Sequence, residues 1–224
     1  MKSYTVIIPA YNEERSIGKV IKQTQKFADE VIVVDDYSTD NTRELCQRLS
    51  AKVVTNEHGK GYIGAIKTGF KRADHGIIVT LDADGEHDPS DIPRLVEPIL
   101  RQEADLVLGK REEIPRISER FINSLTNLKV KVVDSGTGFR ALKRELASKL
   151  SLKGKCTCGI LVLEANHHGA RIVEVPITLH HTLEKRNIAW SHFWQIFYVL
   201  PWLFRRTLKD LKKLNELKEL NKLK

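Results

Sequence analysis

Short apolar, β-branched runs recur through the first half of the chain, each followed by a segment whose apolar positions return at helical spacing. Tyr4-Thr5-Val6-Ile7-Ile8, closed by Pro9, precedes a helical pattern from Ser16 through Val20, Ile21 and Phe27. Val31-Ile32-Val33-Val34 ends in Asp35-Asp36, after which Thr39 or Asp40 can cap a helix carrying Leu45, Cys46 and Leu49. Lys52-Val53-Val54-Thr55 leads to Gly61 to Arg72, with Ile63, Ile66 and Phe70 on one face. Ile77 to Leu81 leads to Ile92 to Ile99, with Leu95 and Val96 inward, and Asp105-Leu106-Val107-Leu108-Gly109 follows. Fully apolar strands alternating with amphipathic helices predict an α/β fold, a mostly parallel sheet with helices on both faces. Ligands of such sheets bind beyond the C-terminal strand ends.

Beyond Arg111 the alternation breaks. Pro115 to Lys131 is basic, with Ile117, Phe121, Leu125 and Leu128 at helical spacing, and Asp134 to Arg140 reads as a polar, glycine-bearing loop before a short helix. Arg171 to Ile177 is a further predicted strand. Residues 1–187 are expected to form one domain and 188–224 an amphipathic helical extension. Ile188 to Phe204 holds all three tryptophans and runs into Arg205-Arg206, a pattern suited to the bilayer interface and its headgroups. Pro201 and the polar Ser191, His192 and Gln195 argue for an in-plane segment against a spanning one, and packing on the domain or a partner subunit is the competing reading. From Leu208 to Leu223 leucine recurs every third residue, a stripe that winds around a helix without making a heptad seam. A lysine-rich tail for headgroups, or for homo-oligomer formation through the C-terminal helix, is expected.

Charge changes the picture only at that end. The formal net charge is +8, and most of the excess lies from Arg205 onward, so the body is not a polyanion-binding surface and no nucleic-acid partner is expected. The content of 41% hydrophobic and 29% charged residues is that of a globular domain. Three cysteines suit a reducing compartment, and Cys156-Thr157-Cys158, with His167 and His168 nearby, matches no zinc spacing, so incidental thiols are expected. Met1 to Tyr4 enters a strand at once without a signal-peptide pattern, and no apolar run reaches bilayer length.

The candidate chemistry sits where the fourth apolar run ends, in Asp82-Ala83-Asp84-Gly85-Glu86-His87-Asp88-Pro89. Two aspartates about 5 Å apart repel by roughly 3 kcal/mol at an effective dielectric near 20. A hard divalent cation with oxygen ligands, Mg²⁺ or Mn²⁺, removes that conflict, and a solvated acidic turn capping the next helix is the alternative. The strand ends also carry Pro9 to Glu14, Asp35 to Asp40, and Lys110-Arg111, so three acidic segments and one basic segment converge on one edge. That convergence favours a metal and phosphate site.

The motifs Pro9-Ala10-Tyr11-Asn12-Glu13-Glu14, Val34 to Asp40, Lys60-Gly61, Asp82 to Pro89, Asp134 to Arg140 and Glu174-Val175-Pro176-Ile177, in this order, resemble the family 2 glycosyltransferases of the GT-A fold. Within them they resemble the polyprenyl-phosphate sugar synthases such as dolichol-phosphate mannose synthase. The resemblance covers about residues 4 to 180. It implies an inverting transfer of a sugar, with mannose from GDP-mannose as the first expectation, from a nucleotide sugar to dolichyl or other polyprenyl phosphate. It places the enzyme on the cytoplasmic face of the cell membrane as a peripheral protein. By the same resemblance Pro9, Tyr11, Glu13, Asp36, Lys60 and Asp82 bind the nucleotide, and Asp82, Asp84 and Glu86 hold the metal. Arg111 and Arg140 face the acceptor phosphate, and Asp134 shapes the junction of donor and acceptor.

A phosphate monoester is ionised near neutral pH, with a second pKa of about 6, so such an acceptor needs cations in place of a base. A hydroxyl acceptor would need a carboxylate base, and Asp134 is the candidate. Competing readings are a surface cation for Arg140, an ion pair with Glu112 or Glu113 for Arg111, and a structural role for His87. Two departures from the family pattern stand out. Tyr37 replaces a usual glycine, which predicts a differently built turn. The segment after Ile177 lacks the R-x-x-G-x-S-K closure, leaving Lys185 or Arg186 of Thr182 to Asn187 as the diphosphate clamp. A sugar-phosphate nucleotidylyltransferase is disfavoured because Pro9 to Glu14 has no glycine, and a degenerate basic membrane- or nucleic-acid-binding module is the reading from another class.

Overall fold

A computed structural model describes residues 4–114, 116–180 and 189–205. Lys185, Arg186 and the Leu208 to Leu223 stripe lie outside the described residues. The apolar runs form β1 (Tyr4–Ala10), β2 (Glu30–Asp35), β3 (Lys52–Thr55), β4 (Ile77–Thr80) and β5 (Leu106–Lys110). Between and after them come α1 (Ile17–Thr24), α2 (Thr42–Arg48), α3 (Tyr62–Arg72), α4 (Ile92–Leu100) and α5 (Ile117–Asn127). The remainder folds into β6 (Arg140–Lys143), α6 (Arg144–Ala147), α7 (Ile160–His167), β7 (Ile172–Pro176) and α8 (Ala189–Phe204).

The strands make one seven-stranded sheet in the order β3-β2-β1-β4-β6-β5-β7. All run one way except β6, which pairs antiparallel with both β4 and β5. Side-chain alternation divides the core between the two faces. Val6, Ile8, Val31 and Val33 pack with Ile17, Val20, Ile21, Ile92 and Leu95 of α1 and α4. Ile7, Ile32 and Val34 pack with Ala65, Ile66 and Phe70 of α3 and with Ile160 and Leu161 of α7.

Because β6 runs backwards, its first residue, Arg140, starts at the edge where β1, β2, β4 and β5 end. The loop from Asp134 is thereby delivered to the same edge as Asp36, Asp82 and Arg111. Sequence pattern predicts a loop and short helix here, not a strand. The four residues Arg-Ala-Leu-Lys have no readable alternation, and their strand character comes from partners on both sides.

Two helices bury polar residues and expose apolar ones. In α5 the inward residues are Glu119, Ile122, Asn123 and Thr126, while Ile117, Phe121 and, just past its end, Leu128 are exposed. In α8, which packs on α5 and α7, His192, Gln195 and Val199 are buried while Phe193, Trp194, Phe197, Tyr198, Leu200 and Phe204 are exposed. No described helix is long and apolar enough to cross a membrane.

Candidate active site

The loops after β1 and β2 are stitched together through polar side chains. Asn12 donates its backbone N–H to Ser38 Oγ at 3.0 Å and accepts from the Thr39 N–H at 2.8 Å, while the Glu14 N–H reaches Asp40 Oδ2 at 3.2 Å. Asp40 Oδ1 accepts the Thr42 N–H at 3.0 Å from one residue before the N-cap of α2, which is Asn41 and not Thr39 or Asp40. Glu13 is buried and accepts from Ser16 Oγ at 3.0 Å; Pro9 pairs with Val34, and Tyr11 stays exposed at the loop tip.

Asp36 accepts from Asn56 Nδ2 at 2.7 Å and from the Gly61 N–H at 2.8 and 3.0 Å, at the N-terminus of α3, where the helix end favours an anion. Tyr37 takes the left-handed conformation, with φ of 64°, a region that glycine occupies more readily than a bulky residue. Its hydroxyl donates to the Asn56 carbonyl at 3.0 Å, and Lys60 Nζ lies 5.5 Å from its ring centre, so tertiary contacts hold the unfavourable dihedral in place.

The Asp82 carboxylate accepts from the Tyr62 hydroxyl at 3.1 Å, and the backbone of Gly138 runs against it. A Cβ at Gly138 would lie 1.9 Å from Asp82 Oδ2, so any side chain there must displace the carboxylate or the loop. Gly138→Ala is therefore expected to lower kcat/KM by about a hundredfold, the scale of a 1 Å misplacement in an active site. Steady-state kinetics on the folded variant checks this, and wild-type kcat/KM would remove Asp82 from the site.

Asp84 Oδ1 accepts the Glu86 N–H at 3.0 Å, which aims the turn but leaves Asp84 without a protein cation in ion-pair contact among the described residues. Burial raises the Asp82 and Asp84 carboxyls above their ordinary range, and the charge on Asp82 raises Asp84 further. Burial and then Asp84 raise Glu86. His87 is buried against Phe139, with its imidazole pushed down to about 4 by burial. The segment following β7 braces this turn, with the His180 N–H on the Glu86 carbonyl at 2.7 Å and the Asp88 N–H on the Thr178 carbonyl at 3.3 Å.

The donor set Asp82, Asp84 and Glu86 is all oxygen and resists carrying its charges alone, which fits a hard divalent cation. The three do not form a closed cage. Among the described residues, the cluster with three ligand atoms within 4.8 Å of one another is Cys156, Cys158 and His192. Any ion on the aspartates thus needs oxygen ligands from a bound molecule as well.

The two arginines are in unlike situations. Arg111 is buried and ion-paired neither with Glu112 nor with Glu113: its Nε donates to Asp134 Oδ2 at 2.7 Å and its Nη2 to Asp134 Oδ1 at 2.9 Å and Glu119 Oε2 at 2.8 Å. The two carboxylates raise its pKa above the usual guanidinium value, although burial opposes them. Arg140 is fully buried, not a surface cation; Nη1 donates to Thr157 Oγ1 at 2.7 Å, while Nε and Nη2 have no partner. Unpaired buried donors on a charged group are costly and point to an absent anion.

Tyr62, Asn56, Glu119 and Thr157 escape a reading by motif, and Gly138, inside the Asp134 to Arg140 motif, was given no role of its own. Asn56 was open to discovery, since it follows a strand on the acidic edge. Tyr62 and Glu119 lie in helical patterns where nothing local distinguishes them.

A model of the family described as Glycosyl transferase family 2 matches residues 5–161. The chain belongs to this family. The glycosyltransferase is 32% identical over 209 residues to UDP-N-acetylglucosamine–dolichyl-phosphate N-acetylglucosaminyltransferase of Methanococcus voltae, covering 77% of this chain and 83% of that protein. It is 30% identical over 203 residues to polyprenol monophosphomannose synthase of Mycolicibacterium smegmatis, covering 77% and 76%. Among solved structures, glucosyl-3-phosphoglycerate synthase from Mycobacterium tuberculosis, in complex with Mn²⁺ and UDP-glucose, superposes with a TM-score of 0.75 at 26% identity, covering 89% of this chain and 78% of that one. The fold is GT-A, and the enzyme is a glycosyltransferase whose relatives include polyprenyl-phosphate sugar transferases.

Proposed function

We propose that this glycosyltransferase moves a sugar from a nucleoside diphosphate to a polyprenyl phosphate while resting on the cytoplasmic face of a membrane. One observation carries the reading. Helix α5 turns Glu119 inward onto Arg111 and presents Ile117 and Phe121 outward, so a single helix joins the candidate site to an exposed apolar face. α8, which packs on α5, also exposes Phe193, Trp194, Phe197 and Tyr198, and Arg205 stacks on Trp202 at 4.4 Å near its C-terminal end. Aromatic side chains beside cations suit the headgroup boundary of an anionic bilayer, where a long-chain lipid phosphate would be held.

Pro9, Tyr11, Glu13, Asp36 and Lys60 surround the nucleotide in this reading. Asp82 and Asp84, with Glu86 beside them, hold Mg²⁺ or Mn²⁺ on the donor diphosphate. When bound, the ion neutralises charge that develops on the leaving diphosphate. The unpaired Nε and Nη2 of Arg140 receive a phosphate oxyanion. Arg111 orients the junction through Asp134, whose two oxygens are already engaged by it. That engagement disfavours Asp134 as a general base and favours an acceptor that arrives ionised. Lys185 or Arg186 serves as the diphosphate clamp. The acceptor phosphate displaces the diphosphate directly, which inverts the anomeric carbon. GDP-mannose is the donor expected from resemblance, and UDP-N-acetylglucosamine is the donor in the name of the relative from Methanococcus voltae.

Thermal-shift screening of GDP-mannose, UDP-N-acetylglucosamine and UDP-glucose with Mn²⁺ is expected to single out one donor, which raises the melting temperature furthest. The double variant Phe121→Glu, Phe197→Glu is expected to lose binding to anionic phospholipid vesicles and transfer to polyprenyl phosphate embedded in them. It should keep transfer to a short, soluble prenyl phosphate. Vesicle binding unchanged in the double variant, or a dimer that dissociates in it, would show that the apolar face meets protein instead.

A further inference from the structure

The thiols of Cys156 and Cys158, two residues apart in a loop, meet a histidine from a distant helix. Cys158 Sγ and His192 Nε2 are 3.6 Å apart, and these two atoms with Cys156 Sγ all lie within 4.8 Å of one another. A tetrahedral ion with metal–sulfur bonds of about 2.3 Å and metal–nitrogen bonds of about 2.0–2.1 Å sets its sulfur and nitrogen ligands about 3.6 Å apart. The other imidazole nitrogen, Nδ1, is 2.8 Å from Ser118 Oγ of α5, an outer contact of the kind that fixes the tautomer of a metal-bound histidine. The loop is shaped to reach α8. Gln195, one turn beyond His192, accepts the Lys155 and Cys156 N–H groups at 2.9 and 3.2 Å, and a Cβ at Gly154 would lie 2.3 Å from the Gln195 side-chain oxygen.

We propose that Cys156, Cys158 and His192 form a soft-metal site for a zinc-type divalent ion, with solvent in the fourth position beside the partly exposed Cys156. Two thiolates and an imidazole select a borderline-soft ion, unlike the all-oxygen set of Asp82, Asp84 and Glu86. Binding forms two metal–thiolate bonds and one metal–imidazole bond and releases the two thiol protons to solvent, with no change of oxidation state. The ion pins α8 to the body of the protein. It also fixes Thr157, which lies between the two cysteines and accepts from Arg140, so the site is a positioning element behind the candidate active site.

Cobalt titration of the reduced full chain tests this. One equivalent of Co²⁺ should produce a thiolate-to-cobalt charge-transfer band and the visible bands of a tetrahedral ion, both displaced by Zn²⁺. Cys158→Ser and His192→Ala should abolish them, and His192→Cys, which keeps a ligand, should restore them. Cys46→Ser and Asp84→Asn should leave them intact, which separates this site from the aspartates. Zn²⁺ should raise the melting temperature of the wild type by several degrees and leave that of Cys158→Ser unchanged. Absence of the charge-transfer band, its persistence in His192→Ala, or a thiol count showing Cys156 and Cys158 joined as a disulfide would overturn the proposal.

Discussion

Asp84→Asn is expected to abolish sugar transfer and, in the metal-free protein, to raise the melting temperature. The two effects share one cause. Asp84 is held in its turn by the Glu86 N–H, has Asp82 two residues away, and meets no cation among its described partners. Burial and the Asp82 charge both oppose its ionised form, so the site is destabilised until a cation arrives. An amide keeps the shape and removes the charge. Loss of the ion on the leaving group should cost at least the roughly 10²–10³ in kcat of removing one preorganised electrostatic partner, which takes transfer to the background of the assay. The sign with pH follows. A carboxyl raised in the folded state contributes stability that is present below its unfolded pKa and lost as pH rises through the folded one. The stability gap between Asp84→Asn and wild type should accordingly shrink on acidification. Activity should fall on the acid side at a pH above that of an exposed aspartate, and saturating Mn²⁺ should move that limb downward. Thermal melts with and without Mn²⁺, beside the pH–rate profile, decide the matter. An inactive variant that is also less stable at every pH would mean that Asp84 is structural.

Arg111→Ala is expected to be the most destabilising single change in the site. Asp134 is fully buried and Glu119 nearly so, and the guanidinium binds both. Removing it strands the Asp134 carboxylate, while Glu119 keeps Arg116 at 2.7 Å; about 3–5 kcal/mol is the usual cost of breaking a buried pair. Against a typical total of about 5–15 kcal/mol, that is a large fraction of the stability of the domain. Arg111→Lys keeps the charge but loses the forked geometry and should fall between. The triple variant Arg111→Met, Asp134→Asn, Glu119→Gln should regain most of the stability without regaining activity. Urea denaturation measures each. If Arg111→Ala unfolds within about 1 kcal/mol of the wild type, the carboxylates find other partners and the triad does not organise the site.

Much of the fold was legible because its signals are local. The first five strands are apolar runs bounded by acidic or proline-bearing turns, and the helices between them carry their inward residues at helical spacing. The strand Arg140–Lys143 was not legible, since a four-residue segment with a cation at each end becomes a strand only between two neighbours. The helix Ile160–His167 escaped for the opposite reason: Ile160 to Ala165 are all buried, so no periodicity marks them. In α5 the apolar spacing was present but faces outward, because polar Glu119 and Asn123 find buried partners. In α8 no spacing marked the inward residues, and His192 and Gln195 are buried by partners in the loop that carries Lys155, Cys156 and Cys158.

The sequence alone determined that Asp36, Asp82, Asp84 and Arg111 would share one edge, because strands that alternate with helices must run parallel and send their C-terminal ends to the same side. Only the tertiary structure decided how those charges are matched. Arg111 bypasses the adjacent glutamates for residues 8 and 23 positions away, Arg140 is buried with two donors unspent, and Cys158 meets a histidine 34 positions on. Chain order specifies which end of a strand a residue occupies. Which residues a buried charge or thiol meets depends on the packing of segments far apart in sequence, and no local pattern encodes that.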